Sequence, residues 1–276
     1  MMKFCPIASG SSGNCVYVGT ETTHLLIDAG LSGKRTEAGL SYIFRKFGEV
    51  PKITGILVTH EHSDHVSGVG ILSRRYNLPV YASANTWRFF LRHGTIGEVA
   101  PNLRKTVIPG EIIEIGDMEI LAFEVPHDAS QPVGYHICGN GFKAAVATDM
   151  GYVTDTVRNL LRDVNVMLIE SNHDVEMLQN GRYPKALKER VAGSRGHLSN
   201  VAAGALLADV ADGGSKHIFL GHLSEENNRP MIALDTVQNI LIANGIAVDK
   251  LYVADRHEPS EMVELKTVHK NIDKYS

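Results

Sequence analysis

Five short apolar runs in this chain each stop at a histidine or an acid. "GILV" is followed within two positions by His60, "AFEV" by His127, "AAVA" by Asp149, "VMLI" by Glu170 and "IFL" by His222. Short apolar runs bounded by glycine and polar residues read as buried strands. Strands that end along one edge of a sheet place side chains far apart in sequence around a common point, on rigid supports. The pattern therefore predicts a sheet-based fold with its chemistry gathered at one edge.

Between these runs, "NCVYVGT", "THLLIDAG" and "ITGILVTH" are predicted strands, rich in β-branched residues and punctuated by glycine. "VSGVGILSRRYN" has helical spacing, "PVYAS" returns to strand character, and "ANTWRFFLRHG" is a short helix stopped by glycine. "GDMEILAFEVPH", "VGYHICGNGFKAAVATD" and "NVMLIES" follow, the middle one a hairpin turned by "GNG". "LSNVAAGALLADVAD" and "PMIALDTVQNILIANG" are helices on either side of the strand "KHIFLGH", and "KLYVAD" is the last strand expected. Strands dominate early and helices alternate with strands later, so the body is predicted to be an α/β sandwich of mixed sheets with helices outside. No linker, low-complexity tract or short-period repeat interrupts the chain, and residues 1–276 are expected to form one domain.

A formal net charge of −4 is not that of a basic protein that coats nucleic acid, so any phosphate-bearing substrate has to be held locally. Cys5, Cys15 and Cys138 are too few and too scattered for a disulfide framework or a cysteine-rich zinc module. The opening "MMKFCPIASG" has no apolar stretch of secretory-signal length, and no run approaches the ~18 apolar residues of a membrane span. A cytoplasmic location with no membrane partner is the expectation, and the sequence leaves the oligomeric state open.

The densest cluster is "THEHSDHVSG", residues Thr59 to Gly68. His60 and His62 are two apart, so in an extended loop they face the same way and can chelate one cation. Asp64 and His65, at the first turn of the helix that follows, can aim at a neighbouring cation. Imidazole and carboxylate suit zinc, iron or manganese.

"THEHSDH", with His127, Asp149 and His222 downstream, resembles the motif pattern of the metallo-β-lactamase superfamily of binuclear hydrolases, over nearly the whole chain. The resemblance implies an αββα sandwich of two mixed β-sheets flanked by helices, and two divalent transition metal ions (zinc, manganese or iron). His60, His62 and His127 would hold the first metal, Asp64, His65 and His222 the second, and Asp149 would bridge both. Two such ions generate hydroxide near neutral pH and stabilise developing negative charge, so the implied chemistry is hydrolysis by a metal-bridging hydroxide, which Asp64 would also orient.

"GSRGHLSNVAAGALL" and "LIESNHD" resemble the paired histidine and acid of ribonuclease Z, in which the histidine protonates the departing alkoxide and a glutamate orients it. His197 and Glu170 take those places, and a histidine suits the role because a carboxylate neighbour can set its pKa near working pH. "ASGSSGNC" can point several backbone N–H groups and hydroxyls outward as a nest for an anion. With the other motifs it resembles the WalJ/YycJ group of bacterial metallo-β-lactamase-fold proteins, which implies a 5′ to 3′ DNA exonuclease linked in some bacteria to mismatch repair and cell-wall regulation. Ser11, Ser12, Asn14 and Arg195 would then seat a phosphate next to the scissile one, Arg195 by a bidentate contact. Asn227, Arg256 and His257 are further candidates for the pocket, His173 and Asp174 for support of Glu170, and Tyr183, Lys185, Lys188 and Arg190 for a modest basic rim. No additional domain of the β-CASP type and no aromatic, basic tract is evident, so DNA ends or short fragments are expected as partners rather than long duplex.

Three other readings share part of this evidence. A glyoxalase II-like thioesterase uses almost the same ligands but gives the Glu170 and His197 pair no task, because a thiolate leaves without a proton. A diiron oxygen or nitric oxide reductase usually has glutamate where His62 stands and carries a flavin domain. A metal-stabilised signalling protein without turnover would keep its function when Asp64 is replaced.

Overall fold

Val166 and Leu168 of the run "VMLIE" pack on one side of their strand, Met167 and Ile169 on the other, and all four are buried. A strand covered on both faces reads as a continuous apolar run, which is why these segments lack the alternation of a half-exposed strand. The computed structural model describes residues 1–211, 216–247 and 249–267. Its described residues form two seven-stranded mixed sheets.

The first sheet contains β1 (Met2–Ala8), β2 (Cys15–Gly19), β3 (His24–Ile27), β4 (Gly55–Leu57), β5 (Val80–Ser83) and β6 (Arg104–Val107), with β14 (Val263–Leu265) beside β1. The second contains β7 (Ile112–Ile115), β8 (Met118–Glu124), β9 (Val133–Gly139), β10 (Phe142–Ala147), β11 (Val166–Glu170), β12 (His217–Gly221) and β13 (Leu251–Val253). In each sheet one half pairs antiparallel and the other parallel: β14 to β3 and β7 to β10 antiparallel, β3 to β6 and β10 to β13 parallel. The two halves of the chain thus repeat one pairing plan without a short-period sequence repeat. In the β9–β10 hairpin, Asn140 and Gly141 both have positive φ (51° and 77°), as a two-residue turn matched to strand twist requires.

Three cores hold four layers together. Residues such as Phe4, Val18, Ile27, Ile120, Tyr135, Val146 and Phe219 fill the space between the sheets. Outside the first sheet, α1 (Gly33–Phe44), α3 (Val69–Tyr76) and α4 (Ala84–His93) pack Leu40, Phe44, Leu72 and Trp87 on Ile7, Tyr17 and Ile56. Outside the second, α5 (Asp155–Arg162), α8 (Asn200–Val210) and α9 (Pro230–Ala243) pack Leu161, Leu207 and Val237 on Met167, Ile169 and Leu220. This is the expected αββα sandwich. Among the described residues no helix is long and apolar enough to cross a membrane.

The structure extends the sequence reading at four places, the first being β6, β7 and α5, which lie in stretches to which the sequence reading gives no element. β1 and α1 carry no clear sequence signal: the buried face of α1 includes Thr36 and Gly39, and a Cβ on Gly39 would lie 2.4 Å from Ile7 Cγ2, so close packing of small residues replaces an apolar stripe. "KLYVAD" is not the last strand, because β14 follows it and pairs with β1. Short connecting helices, α2 (Ser63–Val66), α6 (Val175–Asn180) and α7 (Lys185–Val191), were also not distinguished as separate elements.

Candidate metal centre

The parallel registers Ala147↔Ile169 and Glu170↔Gly221 end β10, β11 and β12 side by side. Asp149, Glu170 and His222 therefore emerge together. Asp28 after β3 and His60 after β4 emerge from the first sheet, and His127 follows β8. Asp28, Asp149 and His222 adopt left-handed backbone (φ 58°, 60° and 54°), a conformation that aspartate and histidine tolerate better than most residues and that turns each side chain back over the strand ends.

The ligand atoms of His60, His62 and His127 all lie within 4.8 Å of one another, as do those of Asp64, His65 and His222. Asp149 joins both sets, grouping with His60 and His65 and also with Glu170, His197 and His222. His60 Nε2 and His62 Nδ1 are 3.0 Å apart, His65 Nε2 and Asp149 Oδ2 3.4 Å, and His222 Nε2 and Asp64 Oδ2 3.4 Å. His127 Nε2 and Asp149 Oδ2 are buried with no hydrogen-bond partner. Such orphaned atoms cost about 1–3 kcal/mol each in a protein interior. Imidazole and carboxylate lone pairs converging at these distances fit divalent cations, and the chain is built for divalent metal use.

The supporting contacts set the histidine tautomers. His65 Nδ1 donates to Asp28 Oδ2 at 2.7 Å, and Asp28 also accepts from the Thr59 backbone N–H and hydroxyl, each at 2.8 Å. His127 Nδ1 donates to the Gly196 carbonyl at 3.1 Å, and His222 Nδ1 donates to Glu170 Oε1 at 3.0 Å. Each bond leaves Nε2 free for a cation. Glu61, buried inside the "HEHSDH" loop, accepts from the Ser130 N–H and hydroxyl at 2.7 and 2.6 Å, tying that loop to the one after His127. Sequence reasoning missed Asp28, Thr59 and Glu61. Asp28 was detectable, since it ends the apolar run "HLLI" just as the other five end theirs.

Burial and charge act against each other throughout the centre. Burial disfavours the charged ring of His65, yet Asp149, Asp28 and Asp64 outweigh it and raise its pKa well above the ordinary value. His222 behaves likewise: burial is outweighed by Asp149, Asp64 and Glu170, and its pKa is pushed up to about 10. For Asp64 burial is overcome by His65 and His222, and the carboxyl is held far below the usual range. His60 goes the other way, lowered by burial and by the neighbouring His65, His62 and His127 rings.

Beside the ligands sits a second pair. Glu170, fully buried, accepts through Oε1 from His197 Nδ1 at 2.7 Å and from His222, and through Oε2 from the backbone N–H groups of Met150 and Leu198 at 2.8 and 3.1 Å. Burial opposes the charged ring of His197, but Glu170 and Asp149 raise its pKa. Its ring lies 5.1 Å from that of His127 and 5.3 Å from that of His222, centroid to centroid. Behind the pair, a buried amide network joins three loops: Asn228 Nδ2 donates to the Ser171 and Asn172 carbonyls and to Asn200 Oδ1, and Asn172 Nδ2 donates to the His222 carbonyl.

The remaining candidates divide by exposure. Ser11 and Ser12 are exposed, but Asn14 is buried, its Nδ2 3.1 Å from His65 Nε2 and within 3.3 Å of Asp64 Oδ2, while its Oδ1 accepts from the Gly10 N–H. Asn14 is thus turned towards the second ligand set instead of outward. Arg195 is exposed and its Nε donates to the His127 carbonyl. Arg190 pairs with Asp128 at 2.6 Å next to His127, whereas Lys188 donates to the Gln179 carbonyl and Lys185 lies 3.7 Å from Glu189, both away from the ligands. Tyr183 is half-buried on the loop before α7. Asp174 caps α6 through the Met177 N–H, His173 and Asn227 are buried, and Arg256 and His257 line a cavity next to the centre.

The beta-lactamase superfamily domain matches residues 23–222. The exodeoxyribonuclease YycJ of Bacillus anthracis is 41% identical over 268 residues, 97% of this chain and 99% of that protein. The exodeoxyribonuclease WalJ of Streptococcus pneumoniae is 38% identical over 95% of this chain and 98% of its own length. The crystal structure of the metallo-beta-lactamase fold protein YhfI from Bacillus subtilis superposes with a TM-score of 0.69 over 95% of this chain and 100% of that one, at 16% identity.

Proposed function

This chain belongs to the metallo-β-lactamase superfamily and is a metal-dependent hydrolase; from its site we propose that it is a binuclear phosphodiesterase that digests DNA from an end, in the 5′ to 3′ direction. The exodeoxyribonucleases it resembles over nearly their whole length support a nuclease acting on nucleic acid.

In this reading His60, His62 and His127 would hold one cation, Asp64, His65 and His222 would hold a second, and Asp149 would serve both. When bound, the two ions supply an activated water near neutral pH and a clamp on the charge that develops on the scissile phosphate. Asp64, the most exposed of the carboxylates at the centre, is placed to orient that water. His197 carries a proton on the ring nitrogen that Glu170 leaves free and gives it to the departing alkoxide oxygen. Glu170 and Asp149 raise its pKa, which favours the protonated ring, and Glu170 positions it. Ser11 and Ser12 on one side and Arg195 on the other supply polar contacts for the strand, and Asn14 steadies Asp64 and His65.

The observation that carries the reading is the 2.7 Å bond between His197 and Glu170 against the ligand sets. A thioesterase has no use for a proton donor there, since a thiolate leaves unaided. The test is a panel of 5′- and 3′-labelled DNA and RNA, single- and double-stranded, digested with Mn²⁺, Zn²⁺ and Fe²⁺ added separately. The 5′ label is expected to leave first as a short product, and the 3′-labelled DNA to give a ladder of fragments shortened from the 5′ end. Hydrolysis of a thioester with no cleavage of any nucleic acid would refute the reading.

A further inference from the structure

Next to the centre lies a cavity of about 370 Å³ that the proposed chemistry does not use, lined among others by Ser9, Leu223, Ser224, Arg229, Arg256 and His257. Its volume is in the range of small-molecule sites. It shares a wall with the metal ligands. The Ser9 hydroxyl accepts the backbone N–H of His222 at 2.8 Å, and Gly10 pairs with Leu223, the residue after that ligand. The cavity therefore backs onto the loop that carries His222, whereas Arg195 stands by His127.

Arg256 is the feature that suggests an occupant. Its side chain lies across Gly10, where a Cβ would come within 3.2 Å of both its Cγ and its Nε, so the absent side chain of Gly10 is what lets the guanidinium lie there. Arg256 Nη2 donates to the Leu223 carbonyl at 3.1 Å, which fixes the plane of the group. Nε is buried and has no hydrogen-bond partner. The nearest carboxylate, Glu225, is 71% exposed and 3.8 Å from Nη1, too far for a hydrogen bond. The other acid on the cavity, Asp255, accepts the backbone N–H groups of His257 and Glu258 on Oδ1 at 2.7 and 2.9 Å, and its charge also acts on Arg256. Arg229 is pinned to the Glu225 and Asn228 carbonyls and adds a second fixed cation. An oriented guanidinium with an unpaired donor, a second arginine and the Ser224 hydroxyl in a pocket of this size match a phosphate, for which arginine supplies parallel donors.

We propose that this cavity is a phosphate subsite that holds the phosphate adjacent to the scissile one, with Arg256 as its principal contact. The inference rests on the phosphodiesterase reading and adds to it a place for a second phosphate of the strand. Only one phosphate then sits on the cations, and the next is gripped by protein alone.

The test compares three substrates with metal-loaded enzyme: a deoxydinucleoside monophosphate, which has one phosphodiester, and the same dinucleotide carrying an extra phosphate at its 5′ or its 3′ end. The wild type is expected to gain about ten- to a hundredfold in kcat/KM from the extra phosphate at one of the two ends, as for a charge-assisted contact. That end also reports the direction in which the strand lies. Arg256→Met should lose most of the gain, and Arg256→Lys, which keeps the charge but not the fork, should retain part of it. Should Arg256→Met fail to fold, as judged by thermal melting, the lysine variant decides the matter. A wild type indifferent to both extra phosphates, or variants that keep the full gain, would overturn the subsite and leave the phosphodiesterase reading standing. A wild type that cleaves none of the three would overturn both.

Discussion

Replacing Glu170 by glutamine keeps the shape of the side chain and removes its charge. Oε1 of Glu170 accepts from two imidazoles, His197 at 2.7 Å and His222 at 3.0 Å, while Oε2 is held by two backbone N–H groups. The amide oxygen of glutamine can satisfy the backbone pair, but its NH2 then faces two ring N–H donors and both charge-assisted bonds are lost. A hydrogen bond to a charged group is worth about 1.5–3 kcal/mol, so each loss corresponds to roughly ten- to a hundredfold. On the His222 side the loss appears as weaker metal binding, about ten- to a hundredfold for a contact that orients a ligand. On the His197 side it appears as poorer general acid catalysis, within the ~10²–10⁴-fold that such a group contributes. The assay separates the two by working at saturating Mn²⁺ and comparing a dinucleotide, whose alkoxide needs a proton to leave, with bis-p-nitrophenyl phosphate, whose nitrophenolate does not. Glu170→Gln should lose roughly ten- to a hundredfold in kcat on the dinucleotide and much less on the nitrophenyl ester. Equal losses on both substrates would refute the assignment of His197 as the acid that Glu170 positions.

Asp28→Asn removes the carboxylate that holds the His65 tautomer and is expected to weaken metal binding by about ten- to a hundredfold, measured by competition with a chelator. The raised pKa values of His65 and His222 favour protonated rings in the metal-free protein, so loading should release protons. Apparent affinity should accordingly rise with pH from 6 towards the His222 value of about 10, and calorimetry in buffers of different ionisation enthalpy would show the release. A Cβ on Gly30 would lie 1.6 Å from the Asp64 carbonyl oxygen, so Gly30→Ala must push the loop that bears Asp64 and His65 aside. A stability loss of about 1–3 kcal/mol by denaturant titration, with lower metal occupancy, is expected.

The layers and the site's location were readable in the sequence for one reason. Most strands that feed the centre are buried on both faces and appear as unbroken apolar runs, while β8 before His127 alternates, and each ends where its chemistry begins. "VMLIE" and "IFLGH" mark β11 and β12 and their strand-end residues in the same few letters. What was not readable depends on contacts between distant segments. Thr36 and Gly39 make α1 pack through small residues, the three-residue β14 gains its identity only by pairing with β1, and Glu61 looks like one more acid in a polar loop until Ser130 is brought to it. Asn14 shows the same limit. In the sequence it belongs to a glycine- and serine-rich turn that can face outward, and in the fold its amide points inward at Asp64 and His65.

Metal content decides the central claim most directly. Wild-type chain saturated with Mn²⁺ or Zn²⁺ and then freed of loosely bound ion should hold two equivalents by elemental analysis. His60→Ala and His65→Ala should each lose one of them, and the double variant both. A wild type that binds one equivalent or none under saturating conditions, or single variants that still hold two, would contradict a paired-cation centre built from these residues.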